Sequence, residues 1–328
     1  MISRALTVVR RLAALVGAAG ALPACAALPP PLPFSGALDT LGAMAPARSG
    51  RIAVIADLQR TSLLEFWRES NDPERAALVR GLVAARPDAL FLAGDLVFDG
   101  GSERQWADFD ALMAPVRDAG IPAFAVPGNH EYWLGQAGDQ QMFARFPHLG
   151  GRHHYQVDHG PLRLVLLDSN ISALPARSWI AQRRWYADAL RQADADPGVK
   201  GVVVLLHHPP YTNSTVTGDE LHVKRDLVGP FVASIKGLAM ISGHVHSYER
   251  FLRHGKMFIV SGGGGGPRAR LATGEDRRHK DDLVRGPALR PFHFLLLEPA
   301  AEGVEVEVRG VEKGGQEVGP IDAFRLPW

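Results

Sequence analysis

Residue types that bind metal ions follow five apolar segments of this sequence. Two histidines separated by one residue, His244 and His246, come directly after the apolar run 237–241. Taken alone, such a pair in a loop is just as readily a solvated surface pair. The same kind of junction recurs upstream, however, where the polar residues are Asp57 with Gln59, Asp95, Asn129 with His130, and His207.

Carboxylate, carboxamide and imidazole groups in this combination suit hard or borderline cations such as Mn²⁺, Fe or Zn²⁺. A thiolate site is excluded because Cys25 is the only cysteine. One Asp at a strand end usually caps the next helix. Ligand-type residues at four or five junctions of one sheet edge are much harder to obtain by chance, so the pattern predicts a metal centre.

The apolar segments that precede these residues have the length and composition of buried strands. Runs 51–56, 88–93 and 121–126 alternate with two amphipathic stretches, which predict helices from Asp72 to about residue 86 and from Ser102 to about Ala119. Further strands are predicted at 155–158, 162–168, 202–206, 257–260, 292–297 and 304–308, with helices at 179–193 and 221–235. This order predicts one α/β domain of two packed sheets, with parallel strands that end at a shared edge.

The N-terminus has the features of a targeting segment. Arg4, Arg10 and Arg11 precede an apolar, Ala-rich run at 12–22, which is too short for a mature transmembrane helix. Cleavage after the small-residue triplet 24–26 and lipidation of Cys25 both remain open. We therefore predict a signal peptide or lipoprotein signal at 1–27, a Pro/Gly/Ala-rich linker at 28–49 and a catalytic domain at 50–328. The expected location is the periplasm or a membrane anchor of a bacterium.

The charge balance gives no indication of a nucleic-acid partner. Lys and Arg number 36 against 35 Asp and Glu, and the formal net charge is +1. The basic stretch 268–280 is interleaved with acidic residues, which favours a solvated loop. Composition does not indicate an oligomeric state.

Four sequence blocks, in order, resemble those of the calcineurin-like metallophosphoesterases. They are Gly94-Asp95, Gly128-Asn129-His130-Glu131, the His207 junction and Gly243-His244-Val245-His246. Within that superfamily, residues 207–211 and 243–250 are most similar to purple acid phosphatases. The resemblance implies a four-layer α-β-β-α sandwich of two packed mixed sheets flanked by helices. It also implies hydrolysis of small phosphate esters.

The same resemblance implies two divalent or trivalent metal ions, which would be Fe, Mn or Zn. Asp95 would bridge them, since two nearby cations need a shared anion. The remaining ligands would be Asp57 and His246 at one ion, and Asn129, His207 and His244 at the other. The ions would generate a bound hydroxide that attacks the phosphate. His130 would act beside the leaving group as a proton donor or electrostatic stabiliser.

Two residues depart from the family pattern. Gln59 stands where members outside the purple acid phosphatases commonly have His, and it either binds through its carbonyl oxygen or only fills the space. Phe98 stands where purple acid phosphatases have a tyrosinate ligand, so we expect no charge-transfer colour even with bound iron. His208, Asp99 and Tyr248 are further candidates for contact with the ligands or the substrate, although each also has an ordinary structural explanation.

The sequence therefore predicts an exported, dinuclear, metal-dependent phosphoesterase that resembles an acid phosphatase. The alternative is a phosphodiesterase that acts on cyclic nucleotides or phospholipid headgroups. A non-catalytic surface lipoprotein of the same fold, suggested by Gln59 and Cys25, is the least favoured hypothesis because the other ligand-type residues are all present.

Overall fold

The computed structural model describes residues 30–36, 50–62, 65, 67–133 and 137–328. Strands β1 to β12 span, in chain order, Ile52–Ile55, Ala89–Ala93, Ala123–Val126, Tyr155–His159, Leu162–Leu166, Gly201–Leu206, Gly237–Ser242, Tyr248–Arg253, Lys256–Ser261, Phe292–Ala300, Gly303–Val311 and Gly319–Pro327. Helices α1 to α7 span Asp72–Ala85, Glu103–Leu112, Ala114–Asp118, Ala137–Arg145, Ala176–Ala195, Leu221–Asp226 and Val228–Ala233.

The strands form two six-stranded sheets with the orders β12-β11-β10-β1-β2-β3 and β4-β5-β6-β7-β9-β8. In the first sheet β1, β2 and β3 are parallel, whereas β10 pairs antiparallel with β1. In the second sheet β5, β6, β7 and β9 are parallel. Because parallel strands end on the same side of a sheet, each sheet presents a row of strand C-termini at one edge.

The two sheets pack face to face and helices cover their outer faces. The larger hydrophobic core joins residues of both sheets, such as Phe91, Leu205 and Leu295, to the apolar stripes of α1 and α2. A second core lies on the other face of β6 and β7, where Trp179 and Tyr186 of α5 are buried. The predicted sandwich of two mixed sheets flanked by helices is therefore confirmed, since all six residues of β6 and of β7 are buried.

The predicted elements differ from the structure at several boundaries. The helix expected at 102–119 is divided into α2 and α3 near Met113, where Pro115 cannot donate a backbone hydrogen bond. The helix expected at 221–235 is likewise divided at Leu227, shortly before Pro230. Strands β8 and β12 were not predicted, because both are edge strands whose charged residues hide the apolar alternation.

Part of the predicted linker packs on the folded body. Phe34 is buried, and its ring stacks on Phe146 with a centroid distance of 5.0 Å. The carbonyl oxygen of Ser35 accepts the backbone N–H of Ala123 at the start of β3. Phe34 and Ser35, which lie in the predicted linker at 28–49, therefore contact the folded body.

The predicted signal segment at 1–27, including Cys25, lies outside the described residues. Among the helices of the described residues, none has both the length and the apolar character needed to cross a bilayer.

Candidate metal centre

The predicted ligands converge where the strand ends of the two sheets meet. Asp57 follows β1, Asp95 follows β2, and Asn129 follows β3 in the first sheet. From the second sheet, His207 follows β6, and His244 and His246 follow β7. Ligand atoms of Asp57, Asp95 and His207 all lie within 4.8 Å of one another, which brings residues from both sheets into one site.

Three of these residues adopt a left-handed backbone conformation that side chains rarely occupy. The φ angles are +62° at Asp57, +53° at Asp95 and +67° at His244. Such conformations persist where the surrounding structure enforces them, and they often occur at functional sites. Here the backbone N–H of His244 donates to both carboxylate oxygens of Asp57, at 3.0 Å each. These hydrogen bonds join the loop after β1 to the loop after β7.

Glycines allow the backbone to approach the carboxylates closely. A Cβ atom at Gly243 would lie 2.5 Å from Oδ2 of Asp57, and one at Gly128 would collide with Oδ1 of Asp95. The glycines of the Gly128 and Gly243 blocks are therefore required by the packing around the two acidic ligands.

The histidine rings are oriented by backbone carbonyl groups. Nδ1–H of His207 donates to the carbonyl oxygen of Ala93 at 2.9 Å, and Nδ1–H of His246 donates to that of Pro267 at 2.8 Å. Each ring therefore directs Nε2 into the site. This is the arrangement in which a metal-binding histidine is usually held by its outer partner.

The inward atoms of these rings face oxygen and nitrogen acceptors at short distances. Nε2 of His207 lies 3.3 Å from Oδ2 of Asp95, 3.2 Å from Oδ1 of Asn129 and 3.2 Å from Nδ1 of His244. Nε2 of His246 lies 3.3 Å from Oδ1 of Asp57. When Nδ1 carries the ring proton, Nε2 is itself an acceptor that faces other acceptors. Because two acceptors repel one another, a proton or a cation must lie between them. The donor set fits metal ions.

The pKa values of His207, His244 and Asp57 are shifted by burial and by the charges of their neighbours. Burial opposes the charged form of His207, but the charge of Asp95 and the hydrogen bond to it raise the pKa of His207 to about 9. Burial and the neighbouring charge of His207 lower the pKa of His244 to about 3. Burial also raises the pKa of Asp57, against the opposing effect of His246. The cluster thus favours the protonated form of His207 and the neutral form of His244.

Gln59 lies inside the ligand ring. Its side-chain Nε2 is 3.0 Å from Nε2 of His246 and 3.3 Å from Oδ2 of Asp95. Its Oε1 atom is buried and has no hydrogen-bond partner among the described residues. A rotation of the amide group by 180° would present this acceptor to His246 and Asp95 instead. An orphaned acceptor at this place is consistent with a site built for a cation.

His130 lies at the rim of the site and not within the ligand ring. Its backbone N–H donates to Oδ1 of Asp95 at 3.0 Å, and its Nδ1–H donates to the carbonyl oxygen of Phe98. Its Nε2 atom is 3.8 Å from Oδ2 of Asp95. The rings of Phe98 and Trp133 pack on the imidazole at centroid distances of 4.8 and 4.1 Å. The imidazole is thereby fixed beside the candidate metal ligands.

The three further candidates have different surroundings. His208 lies beside the site, since its ring centroid is 4.5 Å from that of His244 and its Nδ1 bonds to the Ser169 hydroxyl at 2.8 Å. The carboxylate of Asp99 accepts the backbone N–H of Gly101 within a turn. The hydroxyl of Tyr248 donates to Asp322 of β12, which ties the two sheets together. Only His208 is brought next to the ligands by these contacts.

Glu131 is a buried glutamate that lies between the loops of the candidate ligands, and the sequence alone predicts no role for it. The carboxylate of Glu131 accepts backbone N–H groups from Asp95 and Gly128, at 3.0 and 2.6 Å, and from Leu96 at 2.8 Å. It therefore holds together the loops that carry Asp95 and Asn129. The only sequence signal was an acidic residue directly after Asn129-His130.

Glu249 is a second buried glutamate that holds a loop in place through hydrogen bonds. Its carboxylate accepts the Thr212 hydroxyl at 2.6 Å and the backbone N–H of Asn213 at 2.7 Å. These contacts hold the loop that follows His207 against β8. Burial raises the pKa of Glu249 to about 7.

The chain is similar to a known protein family and to individual proteins. The family model described as calcineurin-like phosphoesterase matches residues 50–248. Purple acid phosphatase 21 of Arabidopsis thaliana is 26% identical over 196 residues, which are 54% of this chain and 44% of that protein. A probable cyclic nucleotide phosphodiesterase of Synechococcus sp. is 28% identical over 180 residues, which are 53% of this chain and 64% of that protein.

A solved structure shows the same fold. The purple acid phosphatase from yellow lupin (Lupinus luteus) seeds superposes with a TM-score of 0.68 at 19% identity, over 84% of this chain and 53% of that one. The aligned part thus spans about half the length of the plant proteins. These findings confirm the resemblance and the fold that the sequence blocks predicted.

Proposed function

Because the chain belongs to the calcineurin-like phosphoesterase family, we propose that it is a metal-dependent phosphoric ester hydrolase with a dinuclear centre. The proposed activity is that of an acid-phosphatase-like phosphomonoesterase. The observation that carries the proposal is the convergence of Asp57, Asp95 and His207 from two sheets, with Nε2 lone pairs aimed at carboxylate oxygens.

In this proposal the residues that hold the ions are Asp57, Asp95, Asn129, His207, His244 and His246, with Gln59 as a further donor through Oε1. When bound, two such ions would lower the pKa of a water molecule and stabilise charge on the attacking and leaving oxygens of a phosphate ester. The identity of the metals, whether Fe, Mn or Zn, stays a prediction.

In this proposal the protein holds the ligand loops in place and positions Nε2 of His130 for proton transfer. The carboxylate of Asp57 accepts the backbone N–H of His244, and that of Glu131 accepts the backbone N–H of Asp95. These hydrogen bonds hold the loops of the candidate ligands in fixed relative positions. The Nδ1 proton of His130 is committed to Phe98, which leaves Nε2 as the atom that exchanges a proton with the substrate. Donation from Nε2 to a leaving oxygen is the role we propose for His130.

Phosphodiester hydrolysis is the second candidate. It is favoured by the relative from Synechococcus sp., whose name describes a probable cyclic nucleotide phosphodiesterase. Paired assays with a chromogenic phosphomonoester and its bis-ester would separate the two candidates, because a higher kcat/KM for the bis-ester would reject the monoesterase proposal.

We also propose that the protein is exported, as a periplasmic protein or as a lipoprotein anchored through Cys25. The support is the Arg-rich and apolar composition of residues 1–27. Fractionation of cells that express the full chain and its Cys25→Ala variant tests this proposal. A wild-type protein recovered only with cytoplasmic markers would reject it.

The catalytic proposal is tested by Asn129→Ala and His244→Ala. Each should lower hydrolysis of the chromogenic ester by more than about a hundredfold, because changes to the outer partners of metal ligands already cost about 10–100-fold in metal affinity or activity. Asp99→Ala is the matched control, since its carboxylate bonds within a turn and the variant should keep its activity. Circular dichroism should show the same fold in all three, and full activity in Asn129→Ala or His244→Ala would refute the proposal.

A further inference from the structure

A buried aspartate outside the ligand ring is bonded to the turn that carries His130. Asp168 follows β5 in the second sheet and is fully buried. Its Oδ2 atom accepts the hydroxyl of Tyr132 at 2.6 Å. Tyr132 and His130 belong to the same short helical turn, which follows β3 of the first sheet. The bond between Asp168 and Tyr132 therefore connects the two sheets beside the candidate metal centre.

The carboxylate of Asp168 accepts hydrogen bonds on both of its oxygens. Oδ1 accepts the backbone N–H of Asn170 at 2.9 Å and the side-chain Nδ2–H of the same residue at 2.7 Å. Oδ2 accepts the Tyr132 hydroxyl and, at 3.0 Å, Nδ1–H of His153. Two donors at each oxygen use the full acceptor capacity of an ionised carboxylate. The orientation of the Asp168 side chain is therefore fixed by its partners.

The backbone of Asp168 is held by helix α5. Its N–H donates to Oε1 of Gln182 at 3.0 Å, and its carbonyl oxygen accepts Nε2–H of Gln182 at 2.7 Å. Gln182 is a buried residue of α5, which packs on the second sheet. Because groups supported by a packed helix are held more precisely than groups supported by a loop alone, Asp168 is a firm anchor for Tyr132.

The loop after β3 is attached to this anchor at both of its ends. At the start of the loop, the carbonyl oxygen of Pro127 accepts Nδ2–H of Asn170 at 3.0 Å. At the end of the loop, Tyr132 bonds to Asp168. His130 lies between the two attachment points. Loss of the Tyr132 hydroxyl would free the second point, and the imidazole of His130 would then shift with the turn that carries it.

We propose that Asp168, acting through the hydroxyl of Tyr132, is a positioning residue that holds His130 where its Nε2 atom can donate a proton to the leaving oxygen of a phosphate ester. The inference rests on the proton-donor role proposed for His130. The position of the imidazole ring can be measured without catalysis, so the inference and the proposed function can fail separately.

NMR of the metal-free protein measures the surroundings of the imidazole. Tyr132→Phe removes only a hydroxyl, and we expect it to shift the ring ¹H–¹³C resonances of His130, which His130→Ala assigns by their disappearance. Tyr186→Phe is the matched control and should leave these resonances unchanged, since the Tyr186 hydroxyl is buried without a hydrogen-bond partner in the described part of the chain. Unchanged His130 resonances in Tyr132→Phe would overturn the inference.

The dependence of the rate on the leaving group is the functional readout. A proton donor matters most when the leaving oxygen is basic, so Tyr132→Phe should lower kcat for glycerol phosphate by about tenfold and kcat for nitrophenyl phosphate by less than about twofold. The KM values and the metal content should stay unchanged, as should all rates in Tyr186→Phe. An equal loss for both esters would indicate a purely structural effect and would overturn the inference.

A double-mutant cycle tests whether Tyr132 acts through His130. In the His130→Ala background, the further change Tyr132→Phe should have no effect on the hydrolysis of glycerol phosphate. A further loss of about tenfold would overturn the inference. A wild-type protein that hydrolyses neither ester would reject the proposed phosphoesterase function, whereas shifted His130 resonances in Tyr132→Phe would still support the positioning of the ring.

Discussion

The amide nitrogen of Gln59 lies 3.0 Å from Nε2 of His246, within the ring of candidate metal ligands. This contact connects a residue that departs from the family pattern to the histidine that would complete the first metal site. An amide that donates to His246 competes with a cation for the same lone pair, whereas an amide turned to present Oε1 would assist the cation. We therefore expect Gln59 to influence how strongly an ion would be held at the proposed first metal site.

We predict that Gln59→His strengthens this site. A neutral imidazole is a better ligand for Zn or Fe than a carboxamide. The dissociation constant of the weaker ion, measured by equilibrium dialysis with Zn²⁺ or Mn²⁺, should fall by about tenfold. An unchanged constant, with an unchanged thermal unfolding midpoint, would show that Gln59 does not limit the first site.

The carboxylate of Glu131 should be essential for the geometry of the two ligand loops. Glu131→Gln replaces one acceptor oxygen by an NH₂ group that faces backbone N–H donors, so we expect a loss of about 1–3 kcal/mol in the free energy of unfolding. Denaturant unfolding of the metal-free protein measures this loss. Glu305→Gln, a change in a surface ion pair, is the control and should have little effect. Equal stability of the two variants would contradict this role.

Phe34 should contribute to the stability of the domain although it lies in a segment predicted to be a linker. Its buried ring contacts Phe146 and Phe109, so Phe34→Ala should lower the free energy of unfolding by about 3–5 kcal/mol. Leu32→Ala, at a side chain that is 44% exposed, should change it by less than about 0.5 kcal/mol. Similar denaturation midpoints for both variants and the wild type would mean that residues 30–36 are only a tether.

The contact between His153 and Asp168 should make stability depend on pH. Burial opposes the charged imidazole, but the hydrogen bond and the charge of Asp168 outweigh it and raise the pKa of His153. A raised pKa in the folded state stabilises the protein below the unfolded value of about 6.5, and this contribution is lost as the pH rises through the folded pKa.

The stability difference between the wild type and His153→Gln should therefore be larger at pH 5.5 than at pH 9. Urea unfolding at the two pH values measures it. His254→Asn, at an exposed site with a positive φ angle that Asn tolerates, should show no such dependence. A difference that is larger at pH 9 would contradict the proposed charge interaction.

The sequence was sufficient to predict the strands whose ends bring the candidate ligands together, because apolar runs with polar ends have a direct physical meaning. Asp95 and His207 each follow such a run. The sequence could not predict β8, whose alternation is interrupted by Glu249 and Arg250, or the docking of Phe34, which depends on a partner more than a hundred residues away. The role of Glu131 was also hidden, since backbone N–H groups leave no trace in sequence.

The metal content of the purified and reconstituted protein tests the central claim most directly. The account predicts about two ions per chain by mass spectrometry, as a dinuclear phosphoesterase site requires. Fewer than about one ion per chain after addition of Mn²⁺, Fe or Zn²⁺ would contradict the claim.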